Sequence, residues 1–440
     1  MMFLQFFAWG SWFATLFLCL DAAELGHITQ RAYQSAPIAA IIAPLFLGLI
    51  ADRLFPSQIV LGVLMLVGGG LMAAAAYAVG SGQATLAIVL FVAYMLCYMP
   101  TLGLGNSIAF ANIDDPSKFP VIRVWGTLGW IVAGLLVGGM QWSSSINILW
   151  IAAAASALFG LYSFTLPATP PPAKGKPIDV GSLMMRDAFG LVKDPGFAVF
   201  IVCSTLICIP LAYYYQNASG LLAQTGFEQP ASTMTLGQMS EIVFMLLIPF
   251  FFRQLGVKWM IVIGMAAWVL RYVLFAFGAP EQISWMLLLG VLLHGVCYDF
   301  FFVTGFMYTD AKAPKEVRGQ AQSMLVFFTQ GIGMFVGYEV AGRLFGQTVT
   351  QHAALAAEIA AKSQAVEVGF FESFTRILSR SLPEGIDTTL LAQVMGQWKD
   401  FWLVPAYMAA AIMVLFIVAF WDRSADGDNN DNNRAGETTA

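Results

Sequence analysis

Two long stretches of this chain contain no ionisable side chain. Neither Asp, Glu, Lys nor Arg occurs between Arg53 and Asp114, or between Arg123 and Lys174. Each stretch has room for two apolar spans of about 20 residues, the length that crosses a bilayer. Polar breaks at residues 80–83 and 141–145 separate the spans. Because lipid offers the backbone no hydrogen-bond partner, such spans fold as helices. The sequence therefore predicts an all-α polytopic membrane protein.

The overall composition supports this prediction and excludes several classes of protein. Of 440 residues, 59% are hydrophobic and only 11% are charged, whereas soluble domains are about 25% charged. A large soluble domain or a nucleic-acid-binding arm would need more charged residues than the chain has. The five cysteines all lie in apolar runs without a CxxC pair, so we expect no disulfide framework, metal or cofactor.

The remaining apolar runs bring the expected number of spans to about twelve. They lie near residues 2–20, 36–51, 58–79, 85–106, 119–140, 146–165, 197–221, 232–252, 257–278, 284–306, 319–345 and 400–421. The first run could also be a signal peptide, but it lacks a basic leader and is too long for one. We therefore interpret it as a membrane helix.

A proline-rich segment at 167–179 divides the chain into two halves. We predict an N-terminal six-helix bundle (1–165), a linker (166–195) and a C-terminal bundle (196–421), followed by a disordered polar tail (422–440). The C-terminal bundle includes an enlarged loop at 346–400. Helical spacing within 353–381 predicts amphipathic helices there, which form either a surface insertion or a cap.

The Lys and Arg residues predict the orientation of the chain. Most of the 21 fall on the segments that share a side with the N-terminus. By the positive-inside rule, both termini and the linker are cytoplasmic and the enlarged loop is outside.

Ionisable residues inside spans are costly and point to function. They are Arg123, Glu241, Arg271, His294 and Asp299, with Glu339 and Arg343 near the end of the eleventh span. The last two are spaced as a structural i, i+4 ion pair, and Arg271 has no evident partner.

The fifth and eighth spans each carry a polar face. Arg123, Thr127 and Trp130 share one helical face, and Gln238 shares another with Glu241. Together they would bind a small, flat, hydroxyl-rich solute by stacking and hydrogen bonds. The alternatives are that Arg123 extends to the membrane surface and that Trp130 is a packing residue.

The tenth span adds His294 and Tyr298, which are i, i+4 neighbours, and Asp299, which lies about 100° further round the helix. Tyr298 alone could be a packing residue. Burial favours the protonated form of a carboxyl group, so Glu241 and Asp299 are candidates for coupling transport to a proton gradient. Sodium coupling is the alternative.

Several runs resemble the nucleoside:H⁺ symporter family, a branch of the major facilitator superfamily. They are FLQFFAWGSW (3–12), GLIADRLF (48–55), YMPTLGLGNSIAF (98–110), FPVIRVWGTLGW (119–130), GQMSEIVFMLLIPFF (237–251), AAWVLRYVLFAFG (266–278) and GVCYDFF (295–301). The resemblance implies two six-helix bundles that hold a nucleoside at mid-membrane and work by alternating access. It implies a substrate site at Arg123, Thr127, Trp130, Gln238, Glu241, Tyr298 and Asp299, and a gating-loop motif at Gly48, Asp52 and Arg53.

The resemblance also implies a monomeric transporter of the bacterial inner membrane, with nucleoside and protons as its partners. The chain departs from the family pattern at His294, where the family has Tyr, and at Ala212 and Tyr215, where nucleoside binders have Gln and Asn. Gln216 and Asn217 follow directly and could replace that amide pair. The alternative cargo is therefore a sugar or nucleobase. An enzyme is not expected, since neither HExxH nor GxGD occurs.

Overall fold

A computed structural model describes residues 1–46, 54–114, 118–171, 181, 185–363 and 369–421. Within them, nine helices are long and apolar enough to cross a membrane, and one of the nine consists of two helices that meet at Gly256. Two further helices, one more polar and one shorter, complete the twelve predicted spans. In chain order they are α1 (Met2–Ala22), α2 (Thr29–Phe46), α3 (Ser57–Gly80), α4 (Ala84–Ala111), α5 (Phe119–Gly139), α6 (Asn147–Ser163), α7 (Pro195–Gln224), α8 (230–255), α9 (257–278), α10 (Ser284–Lys312), α11 (Arg318–Thr348) and α12 (Thr388–Ala419).

Two predicted helix starts are wrong. Helix α2 begins at Thr29 rather than near residue 36, and α12 begins at Thr388 rather than near residue 400. Helix α2 begins with the polar run Thr29–Arg31, and the long apolar run of α12 begins only after Lys399 and Asp400, so hydropathy alone assigns the first turns of both helices to loops. The Asp387 carboxylate caps α12 by accepting from the backbone N–H of Thr389 at 2.8 Å, which is an N-cap interaction. The enlarged loop therefore ends at α12 and not at residue 400.

The helices form two bundles, α1–α6 and α7–α12, as in the major facilitator fold. Within the first bundle α3 packs on α4 and α6; within the second, α7 packs on α11 and α12, and α8 packs on α10. The bundles meet where α5 contacts α8, α2 contacts α11 and α1 contacts α7. Large apolar side chains such as Val67, Leu246 and Val418 are exposed on the outer faces, as a lipid-facing surface requires.

Three helices depart from regular α geometry close to the junction of the bundles. Helix α11 contains a π-helical turn at Phe327–Gly333, which packs on α2 and α7. Helix α1 is interrupted by a short 3₁₀ turn at Phe13–Thr15. Helix α10 is interrupted after Leu292 and contains a π-helical turn at Asp299–Val303. Such π turns are common at functional sites because they redirect side chains.

The two bundles are in close contact at the end where the enlarged loop lies, which we call the loop end. On α5, a Cβ atom added to Gly138 would lie 2.0 Å from Ser232 Oγ, and one added to Gly134 would lie 2.2 Å from Thr235 Cγ2 of α8. Small residues spaced i, i+4 let two membrane helices approach this closely. The loop end of the structure is therefore closed.

The enlarged loop is anchored to this closed end. It contains a helix at His352–Lys362, which we call the loop helix, and an irregular segment whose Arg380 donates to Thr225 O at 2.8 Å. Gln229 Nε2 donates to Ser373 O at 2.8 Å, and Phe370 packs against Gly139 of α5. The segment thus contacts both bundles, as in the cap alternative.

Other predictions lie outside the described residues. They concern the gating-loop motif Gly48, Asp52 and Arg53, the tail 422–440, and parts of the linker (172–180 and 182–184) and of the loop (364–368).

Candidate functional site

The predicted polar faces of α5 and α8 meet at the junction of the two bundles. The Thr127 hydroxyl forms a hydrogen bond with the carboxyl group of Glu241, and Arg123 interacts with the same carboxyl group electrostatically. Glu241 and Gln238 are each only 8% exposed. A residue pattern on two distant helices is thus brought together into one polar site.

Arg123 points into the protein and does not extend to the membrane surface. Its guanidinium carbon lies 4.2 Å from the centre of the Phe6 ring, which is a cation–π contact. Its Nη1 atom is buried and has no hydrogen-bond partner. The guanidinium therefore keeps donor capacity for a bound solute.

Trp130 belongs to a group of aromatic rings that includes residues of α1. Its ring centre lies 5.4 Å from that of Trp9 and 6.3 Å from that of Phe13, both in edge-to-face geometry. Phe13 in turn contacts Tyr215 of α7 at 5.9 Å. These rings form an aromatic wall that spans both bundles.

His294 and Tyr298 form the facing wall on α10. The His294 ring is stacked on Tyr214 at 5.3 Å and lies 5.7 Å from Tyr298. Tyr215 meets His294 edge to face at 6.0 Å and interacts electrostatically with Glu241. His294 is 2% exposed, so Tyr215 and the half-buried Tyr298 are the rings that a solute reaches first.

Asp299 is a carboxyl group of the site that has no hydrogen-bond partner to stabilise its charge. It is 0% exposed, and neither of its carboxylate oxygens has a hydrogen-bond partner. It interacts electrostatically with Glu241. A carboxyl group buried without a partner is more stable with its proton than without it. No cluster of three His, Cys, Asp or Glu side chains suited to a metal occurs among the described residues.

A close crossing of α8 and α10 fixes these carboxyl groups in space. A Cβ atom added to Gly295 would lie 2.6 Å from the backbone nitrogen of Glu241. Ser240 Oγ donates to Leu292 O at 2.7 Å and accepts from the Gly295 backbone N–H at 3.0 Å. Ser240 therefore satisfies backbone groups at the interruption of α10, one residue from Glu241.

Sequence reasoning missed the part that α1 contributes. Phe6, Trp9 and Phe13 border Arg123 and Trp130, and the only signal for them was the aromatic run in the first span. Of the two positions on α7 that depart from the family pattern, Ala212 packs against Gly337 of α11. Tyr215 instead lies at the site, so a phenol ring stands where an amide was expected.

Above the site, on the side of the loop end, polar contacts connect the bundles. Glu339 of α11 accepts hydrogen bonds from Gln30 and from Gln34 of α2, the latter at 3.0 Å, and also pairs with Arg343 at 2.5 Å. His352 of the loop helix lies with its Nδ1 atom 3.9 Å from Asp21 Oδ1 of α1. Its ring packs between Phe345 and Phe17.

We expect this histidine to make closure of the loop end sensitive to pH. Burial lowers the pKa of His352 below its usual range, and Asp21 offsets part of that shift. When the loop end opens and the imidazole is hydrated, its pKa returns towards about 6.5. The open form therefore binds protons more tightly, so we expect acidification from about pH 7.5 to about pH 5.5 to favour opening.

Distances between spin labels at Gln83 and Glu281, placed in a background without native cysteines, would measure this opening. Acid should shift the distribution to longer distances, and His352→Gln should remove the shift. Equal distributions at both pH values, or a pH response that survives in His352→Gln, would contradict the assignment.

Comparisons with known proteins agree with this architecture. The model of the family described as nucleoside H⁺ symporter matches residues 1–425. The chain is 44% identical to the putative nucleoside transporter YegT of Escherichia coli (strain K12) over 359 residues, which cover 78% of this chain and 82% of YegT. It is 33% identical to the nucleoside permease NupG of the same organism over 364 residues, which cover 78% of this chain and 85% of NupG. A crystal structure of a NupG variant matches with a TM-score of 0.78 at 26% identity, over 96% of this chain and 98% of that one.

Proposed function

The chain belongs to the nucleoside H⁺ symporter family and is a proton-coupled nucleoside transporter of the membrane, and we propose that nucleoside and proton bind in the site between its two bundles. The observation that carries this proposal is the hydrogen bond of Glu241 on α8 with Thr127 on α5, together with the electrostatic interaction of Glu241 with Arg123 on α5. Because the site consists of residues from both bundles, its geometry changes each time the bundles move relative to each other. Binding is then coupled to alternating access.

The groups of the site suit the parts of a nucleoside. A base would stack on Trp130 or Tyr298, as flat rings do on aromatic side chains. Ribose hydroxyls and the polar edge of the base would bond Gln238, Glu241 and Arg123, whose donors and acceptors complement them. His294 stands behind these groups and orients Tyr298.

The protons would be carried by Asp299 and Glu241. Asp299 is buried without a hydrogen-bond partner, whereas Glu241 forms a hydrogen bond with the Thr127 hydroxyl and interacts electrostatically with Arg123. The two carboxyl groups interact electrostatically, so the uptake of a proton by one of them changes the proton affinity of the other. Release would follow when the opposite side opens and water reaches Asp299.

In the membrane, the loop end would face outwards and both termini would lie in the cytoplasm. The linker (166–195) would then join bundles 1–165 and 196–421 on the cytoplasmic side. Since the loop end is closed, the structure represents a state whose site is shut off from the outer side. We propose that the protein works as a monomer in the bacterial inner membrane.

Uptake into proteoliposomes tests the cargo and the coupling ion together. Labelled nucleosides, nucleobases and sugars are offered with an acid-outside pH gradient, with a sodium gradient, and with neither. We expect accumulation of nucleosides with the pH gradient only. Accumulation of a sugar or a free base in preference to its nucleoside would favour the alternative cargo, for which the phenol of Tyr215 in place of an amide is the specific argument. Sodium-driven accumulation would overturn proton coupling.

A further inference from the structure

One ionised group of the second bundle takes no part in the site described above. Arg271 of α9 is 0% exposed, and none of its three side-chain nitrogens has a hydrogen-bond partner. A buried guanidinium with its N–H groups unpaired costs several kcal/mol in a membrane interior. A bound anion would stabilise an arginine in this position.

The surroundings of Arg271 offer no anion from the described chain. Its guanidinium carbon lies 4.1 Å from the centre of the Tyr214 ring. The other groups that interact with it electrostatically are the side chains of Cys297, Tyr272 and His294, together with Tyr215. Thiols and phenols carry no charge at neutral pH in the absence of a specific activator. No ion pair between Arg271 and an acidic side chain occurs in the described residues.

Some of these neighbours have unused polar atoms of their own. The Tyr214 hydroxyl and the Nδ1 atom of His294 are buried without hydrogen-bond partners. The Tyr272 hydroxyl, in contrast, donates to Pro210 O at 2.6 Å. The cluster therefore combines a guanidinium and a phenol that both have hydrogens to donate, and it lacks a charged acceptor. Buried donors without a charged acceptor are the chemistry of an anion site.

We propose that Arg271 and Tyr214 form a buried site for a monovalent, weakly hydrated inorganic anion of the halide class. A single guanidinium neutralises one charge, so a divalent anion such as sulfate would leave a net charge in the membrane interior. The surrounding rings cannot replace a tightly held hydration shell, and this favours an anion that loses its water easily.

Asp299 of the neighbouring helix α10 is the other conceivable partner. Asp299 interacts electrostatically with Glu241, on the side of the cargo site, and Arg271 is not among the groups that act on it. An anion from solution therefore fits the contacts better than a carboxylate from the chain. Because Tyr214 is stacked on His294, an anion bound here would also help to hold these two rings in place at the cargo site.

Thermal unfolding and chloride binding of the purified transporter test the site without any cargo. We compare sodium chloride and sodium bromide with sodium gluconate at equal ionic strength, and we measure bound radiolabelled chloride by scintillation proximity. The wild type should melt at a higher temperature in either halide, since a ligand of the folded state stabilises it. Arg271→Gln should lose this increase and bind chloride at least about 10-fold more weakly.

Three further variants make the result specific. Arg271→Lys keeps the charge and should keep part of the halide response, and Tyr214→Phe removes one donor and should weaken binding even if Arg271→Gln does not fold. Lys399→Gln is the matched control, since Lys399 lies 5.3 Å from the Phe277 ring near the surface; it should behave as wild type. A wild type that melts equally in halide and gluconate, or a halide effect that persists in Arg271→Gln, would overturn the proposal. Neither outcome depends on which solute the protein transports.

Discussion

Asp299→Asn should exchange labelled nucleoside across the membrane but lose accumulation driven by a pH gradient. Asparagine has nearly the shape of the protonated acid, so the buried position is filled without a charge and the helices should pack as before. The variant cannot release a proton, however, and a symporter that neither binds nor releases its proton has no access to the gradient. We expect uphill uptake to fall to the background of empty liposomes, while counterflow stays within about 3-fold of wild type.

Glu241→Gln should show a different loss, because the Glu241 carboxyl group also forms a hydrogen bond with Thr127 and interacts electrostatically with Arg123. Replacing a hydrogen-bonded carboxylate by an amide removes a charge-assisted interaction with the solute, worth about 10-fold or more in affinity. We therefore expect both counterflow and uphill uptake to decrease. Glu372→Gln changes an exposed carboxylate of the enlarged loop and should leave both unchanged.

These two variants are measured at equal amounts of protein in the membrane, with substrate binding determined separately. If both accumulate nucleoside normally along a pH gradient, neither carboxyl group couples transport, and the proton must be carried elsewhere. If Asp299→Asn loses counterflow as fully as it loses uphill uptake, Asp299 maintains the structure of the cargo site and does not carry the proton.

Gly295→Val should inactivate the transporter, although Gly295 has no side chain that could bind the cargo or a proton. Its added atoms would overlap the backbone of Ser240 and Glu241, the nearest at 2.5 Å. Backbone cannot rotate out of the way as a side chain can, so α10 must move away from α8. A displacement of about 1 Å in a binding constellation can cost about 100-fold in rate, and we expect an uptake loss of that order. Gly295→Ala should give a smaller loss in the same direction.

The matched control is Gly70→Val on α3, where an added Cβ atom meets nothing within 4 Å. It introduces the same side chain into a membrane helix and should retain wild-type uptake. Uptake in Gly295→Val at the level of Gly70→Val would show that the α8–α10 crossing does not position the site.

The sequence alone was sufficient for the fold class and for the residues that do not belong in lipid. Apolar runs predict spans because each span must satisfy its own backbone in the bilayer, and that condition is local. Arg123, Glu241 and Asp299 stand out because the cost of a charge in hydrocarbon depends on the residue and its depth, not on its neighbours. The first turns of α2 and α12 were missed for a related reason: hydropathy identifies only the long apolar run that crosses the lipid, and both helices begin before that run.

Only the tertiary structure decided which of these residues meet. The contact of Glu241 with Thr127, the ring of Tyr215 in the site, the close approach at Gly295 and the pairing of His352 with Asp21 all join helices that are far apart in the chain. Such contacts depend on how the helices are rotated and how closely they approach, and small residues at the crossings set both. Arg271 shows the same limit, since a sequence reveals that a charge is buried, whereas only the packed bundle reveals that no carboxylate of the described chain reaches it.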